Sequence, residues 1–124
     1  MRIFMTRWFR RFARKEHLAD EMLLDAVRRA ERGQIDADLG GGVIKQRVAR
    51  RGQGRSGGYR TLLLYRSRSR AIFAFGFAKS RKADLEPDEL EAYRELAKAY
   101  LAQAERAIDK YVADGILTEL MHDE

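Results

Sequence analysis

Residues 47–60 read RVARRGQGRSGGYR, with five arginines, four glycines and no acid. Inside this stretch Gly52-Gln53-Gly54-Arg55-Ser56-Gly57 spells GxGxxG. That spacing cradles a dinucleotide only between a strand and a helix, with an acid about twenty residues further on. Here the next segment is Tyr59–Tyr65, Tyr-Arg-Thr-Leu-Leu-Leu-Tyr, which reads as a strand, and no acid appears before Asp84. A Walker loop fails too, because no GK[ST] is present. The stretch therefore reads as a strand-to-strand loop. Its glycines supply positive φ cheaply, but they do not account for the arginines.

Working outward, Val43–Ala49 alternates with a period of two around Lys45 and Arg47. Ala71–Lys79 is a third β-type run, joined to the second by the polar connection RSRSR over residues 66–70. Three strands with short links imply an antiparallel meander. Upstream, Arg2–Met5 fits a short edge strand. Thr6 fits the cap of a helix whose Trp8, Phe9 and Phe12 share a core-facing side. A second helix fits Ala19–Arg32, with Asp20 as N-cap and Gly33 as stop. Downstream, Leu90, Tyr93, Ala97, Leu101, Ala104, Ile108 and Tyr111 form one continuous helical stripe from Pro87 towards Gly115. The order of helices, strands and helix reads as α+β. One domain is expected over residues 1–115, followed by a short acidic tail over 116–124.

Length and composition narrow the function. The chain has 124 residues, enough for one core, and 45% of them are apolar. It has no cysteine, and His17 and His122 are its only histidines, so no metal site or cofactor is expected. The longest apolar run, Ala71–Ala78, is too short to span a membrane. The basic, aromatic N-terminus does not read as a signal peptide. The reading is a soluble cytoplasmic protein with no membrane partner.

The net charge of +6 is unevenly spread. Residues 39–83 carry twelve Lys/Arg and no acid, whereas residues 84–124 carry four basic and twelve acidic side chains. A third of a domain without counter-charge points to a polyanion. The plainer reading is that the acidic C-terminal third neutralises the basic strands within the fold. Lys45 and Arg47 share strand parity, and Arg60 opens the next strand. With Arg50, Arg51 and Arg55 in the loop they gather cations suited to a phosphate backbone. Tyr59, Tyr65 and Phe77 offer surfaces for unpaired bases, and equally fit a core. RNA cleavage by attack of its own 2′-OH needs a proton acceptor, charge stabilisation on the phosphorane and a proton donor. A lysine crowded by arginines suits the first role, because like charges disfavour its protonated form. Lys45 has that placement, and arginines supply the second role. Binding without catalysis explains the same charges.

The block GGGVIKQRVARRGQGRSGGYRTLLLYR, followed by FAFGFAKSRKADLEPDEL, resembles the RelE superfamily of type II toxins. It is most similar to the HigB-like branch, whose members carry Gly-Gly-x-x-Lys-x-Arg-x-Ala, a basic glycine-rich loop and a Gly-x-Arg strand start. The similarity covers about residues 3–100, and its specific part is Lys45–Arg60. The resemblance implies two N-terminal helices packed on a small antiparallel sheet, with a C-terminal helix. It implies cleavage of mRNA in the ribosomal A site, a helix-turn-helix antitoxin partner, and operator DNA bound through the toxin–antitoxin complex. By position, the family's catalytic basic set falls on Lys45, Arg47 and Arg60. The family's basic residues after the third strand fall near Lys79, Arg81 and Lys82, which join Arg50, Arg51, Arg55 and Tyr59, read from the residues alone, as expected RNA contacts. The family's late tyrosine has no counterpart in Asp84–Leu90, and the nearest, Tyr93, lies in the helical stripe. Two alternatives stand beside it: a superfamily member that inhibits DNA gyrase, against which Lys45, Arg47 and Arg60 argue because such members lack the catalytic basic set, and a non-catalytic nucleic-acid-binding module.

Overall fold

The computed structural model describes residues 1–49, 58–78 and 85–120. Its elements are β1 (Arg2–Thr6), α1 (Arg7–Lys15), α2 (Asp20–Glu31), β2 (Ala37–Gly40), β3 (Val43–Val48), β4 (Tyr59–Arg66), β5 (Arg70–Ala78), α3 (Pro87–Leu101), α4 (Glu105–Ala113) and β6 (Leu117–Leu120). The strands form one sheet in the order β2-β3-β4-β5-β1-β6.

The sheet is mixed, which corrects the expected antiparallel one. β1 runs parallel to β5, with Arg2 beside Arg70 and Met5 beside Phe73. β1 is also interior to the sheet and not at its edge, because β6 pairs antiparallel along its other side. Residues 117–120, read as part of an acidic tail, thus supply the edge strand. The expected single C-terminal helix is two, α3 and α4.

The two faces carry separate cores. On one, Phe9 and Ala13 of α1 and Leu23, Leu24 and Val27 of α2 pack with Ile44, Val48, Leu63 and Phe73. On the other, Ala97 and Leu101 of α3 and Ile108 of α4 pack with Val43, Leu62, Leu64 and Ile72. A sheet covered on both faces explains the unbroken apolar runs of β4 and β5. The N-terminal helix starts where the sequence predicts, with Thr6 Oγ1 accepting from the Phe9 amide at 3.2 Å. In α2 the N-cap is Ala19, and Asp20 is the first helical residue. Gly42 shows why a glycine ends the β2–β3 turn. Its φ is +85°, a backbone conformation that side chains rarely adopt, and a Cβ there would meet Leu101 Cδ1 at 2.9 Å, so Leu101 of α3 would have to shift.

The break between α3 and α4 has a cause far away in sequence. Arg70 is 3% exposed. Its Nη1 donates to the carbonyls of Tyr100 and Gln103, at 2.8 and 2.9 Å, and its Nη2 donates to Glu105. The guanidinium caps the carbonyl end of α3 and holds the acid that opens α4. Arg2 donates to Glu105 and Asp109 of α4 and to Glu119 of β6, so β1, α4 and β6 meet at one guanidinium. Arg70→Met keeps the volume but leaves those carbonyls unpaired, and it should cost about 2–4 kcal/mol. Urea unfolding at constant slope measures it. A change below about 0.5 kcal/mol would show that water replaces the cap.

Candidate nucleic-acid interface

The strand register places the three basic residues singled out by sequence. Lys45 is partly buried, Arg47 exposed and Arg60 partly buried. Arg47 lies directly opposite Arg60, and Arg60 lies directly opposite Phe77. Lys45 lies opposite Leu62, which lies opposite Phe75. Residues opposite one another in an antiparallel pair share a face. Two parallel rows therefore cross the sheet, Arg47–Arg60–Phe77 and Lys45–Leu62–Phe75. Both are on the side covered by α3, whose Tyr93 packs on Phe75 with ring centroids 5.7 Å apart.

Two arginines face to face across a ladder repel. The structure supplies one counter-charge that sequence reading missed. Asp36 accepts from the Arg47 amide at 2.7 Å and from its Nε and Nη2 at 3.3 and 3.1 Å. Arg29, 5% exposed, approaches the same carboxylate at 3.5 Å and also donates to the Arg47 carbonyl. Burial by itself raises the pKa of Asp36. The Arg47 hydrogen bonds and the charges of Arg47 and Arg29 outweigh it, so the carboxyl lies below its ordinary value. Gln46, fully buried between Lys45 and Arg47 in sequence, points to the opposite face. There it donates to the carbonyls of Ala26 and Gln34 and accepts from the Asp36 amide. This pin fixes which way β3 turns its cations. Arg60 is compensated less: its Nη1 is buried with no hydrogen-bond partner among the described residues.

The remaining predicted contacts divide in two. Arg50, Arg51, Arg55, Lys79, Arg81 and Lys82 lie outside the described residues. Tyr59 is 2% exposed, its ring meets Phe12 edge-on and its hydroxyl donates to Glu16 at 2.9 Å. It is a core residue here and does not present a face to a base. Tyr65 donates to Glu31 and packs on the α2 side, away from the basic rows. Phe77 is 6% exposed. The aromatic that is open is Trp8, assigned by its spacing to the core but 43% exposed.

A family model described as the RelE toxin of the RelE/RelB toxin–antitoxin system matches residues 1–120. The chain belongs to the RelE toxin family. It is therefore a toxin of a toxin–antitoxin system, and its partner is an antitoxin. No curated protein matches the sequence. Among the described residues no helix of this RelE-family toxin is long and apolar enough to cross a membrane.

Asp36→Asn tests the counter-charge. The folded carboxyl is more acidic than an unfolded aspartate, so its ionised form stabilises the fold. That contribution is complete above the ordinary aspartate value near 3.8 and is lost as pH falls through the lower folded value. The variant should be less stable than wild type by about 1 kcal/mol at neutral pH, and the gap should close in strong acid. Thermal unfolding across pH measures it. A gap independent of pH would mean that Asp36 acts by its shape alone.

Proposed function

We propose that this RelE-family toxin is a ribosome-dependent mRNA endonuclease of the HigB-like kind. The observation that carries the reading is the cross-strand pair Arg47 and Arg60, with Lys45 diagonal to Arg60 on the same face. Placing like charges opposite one another costs stability, and a local cost of this kind marks a functional site. A phosphodiester offsets that cost. It takes the Arg60 N–H that has no partner among the described residues, and it neutralises Arg47 on the side away from Asp36.

The reaction is attack of the 2′-oxygen on the adjacent phosphorus. The O–P bond to the 2′-oxygen forms, the bond to the 5′-oxygen breaks, and a cyclic phosphate and a 5′-hydroxyl result. Lys45 accepts the 2′-hydroxyl proton or stabilises the developing charge. Arg47 and Arg60 hold the negative charge that grows on the phosphorane oxygens. Tyr93 is the candidate donor to the leaving 5′-oxygen. It packs on Phe75, in the same row as Lys45, and burial followed by the charge of Glu89 raises its pKa. It therefore carries its proton at neutral pH. Arg50, Arg51, Arg55, Lys79, Arg81 and Lys82 are assigned to the RNA backbone by sequence. The ribosome orients the message, so naked RNA should be a poor substrate. A helix-turn-helix protein is the proposed antitoxin, with the complex reaching operator DNA.

Purified protein in a reconstituted translation reaction, with 5′ ends mapped on the message, tests this reading. Cuts should need ribosomes and leave 5′-hydroxyl ends, and one 2′-deoxy nucleotide at the cut should abolish that cut only. Translation arrest with intact mRNA would move the target elsewhere. Cutting at the 2′-deoxy position would remove the 2′-oxygen from the mechanism.

A further inference from the structure

Trp8 is the sole tryptophan of the chain and the large hydrophobic residue most open to solvent among the described residues. Its position follows from where β1 stops. β1 flanks β5 from Arg70 to Phe73 and then turns into α1 at Thr6, whose hydroxyl reaches the Ala74 carbonyl at 3.3 Å. The rest of β5, carrying Phe75 and Phe77, runs on past the end of β1. Trp8, in the first turn of α1, packs beside this stretch. It stacks on Phe12 with centroids 5.4 Å apart and planes 14° apart, and it meets Phe75 at 4.5 Å. Gly76 makes room, since a Cβ there would fall 2.6 Å from Phe12.

The indole is thus held by two rings and still open. Phe75 links it to both functional rows, because Phe75 shares a row with Lys45 and packs 6.0 Å from Phe77, which shares a row with Arg60. A flat, rigid, partly exposed ring that reaches the two basic rows through Phe75 matches a nucleotide, whose base is flat and whose phosphate is anionic. We propose that Trp8 is the stacking platform for an unpaired base of the RNA strand whose phosphate lies against Arg47 and Arg60. This rests on the RNA reading above and takes the base-binding role away from Tyr59. Trp8 is a positioning residue: it fixes which nucleotide faces Lys45 and touches no reacting atom.

Emission from Trp8 reports on the proposal directly, in the wild-type chain and with no risk of misfolding. The probes are a short single-stranded oligoribonucleotide and an abasic ribose-phosphate oligomer of the same length, each end-labelled so that anisotropy records binding. Both are titrated at low ionic strength, where phosphate contacts are strongest. The oligoribonucleotide should quench the tryptophan in step with binding, and the abasic oligomer should bind without quenching. In anisotropy, Trp8→Leu should bind the oligoribonucleotide about tenfold more weakly and the abasic oligomer unchanged. Binding of both with emission unchanged, or equal quenching by both, overturns the platform and leaves the endonuclease reading intact. Emission that responds only to the co-expressed antitoxin also overturns it and assigns Trp8 to the protein interface. Failure of both probes to bind overturns it as well. The ribosome cleavage assay reports on the endonuclease separately.

Discussion

The buried guanidinium of Arg70 is the constraint on which the architecture turns. It sits at the start of β5 and ends α3 by taking carbonyls that a further helical turn would have used. Its contact with Glu105 starts α4, and Arg2 binds the same acid from β1. Those bonds hold Glu105 well ionised, with Arg2 the larger influence and Arg70 next. Once α4 is turned back, β6 can close along β1 and complete the sheet. An unbroken helix from Pro87 to Ala113 would carry the chain past the sheet and leave β1 as an open edge. Two arginines, each the first residue of its strand, thus organise five elements, at the cost of a buried Nε on Arg70 that has no hydrogen-bond partner among the described residues.

Charge explains the rest of the layout. Among the described residues, acids of the C-terminal third pair within the fold with Arg2, Arg70, Arg94 and Lys110. Arg47 instead draws its partner from Asp36 at the end of the helical N-terminal third. One carboxylate between Arg29 and Arg47 steadies β3 without neutralising Arg60. The result is a sheet face whose cations are positioned before any ligand arrives, the arrangement in which electrostatic stabilisation of a transition state is most effective.

Much of this was legible in the sequence and some was not, for identifiable reasons. β3, β4 and β5 announce themselves by period-two patterning and polar turns, and their register brings Lys45, Arg47 and Arg60 to one face. β1 reads as a strand, but no local pattern says that it lies parallel to β5 in the sheet interior. β6 is four residues with one acid and looks like a solvated tail. The apolar stripe runs through Ala102–Ala104 without glycine or proline, so the corner made by Arg70 is invisible locally. Asp36, Arg29 and Gln46 read as ordinary polar residues, because their partners are ten or more positions away for the contacts that matter to β3. Trp8 has the helical spacing of a core residue. Only the early end of β1 leaves it at the surface.

The central claim is that the Arg47–Arg60–Lys45 face performs the chemistry, and the rate of the chemical step is its most direct test. Single-turnover cleavage on programmed ribosomes would be followed for wild type, Arg60→Ala and Lys45→Ala, with ribosome affinity measured in parallel. The account predicts that each variant cuts about 10²–10³-fold more slowly while ribosome affinity falls far less. Cleavage at the wild-type rate in either variant, or a loss fully explained by weaker binding, would contradict it.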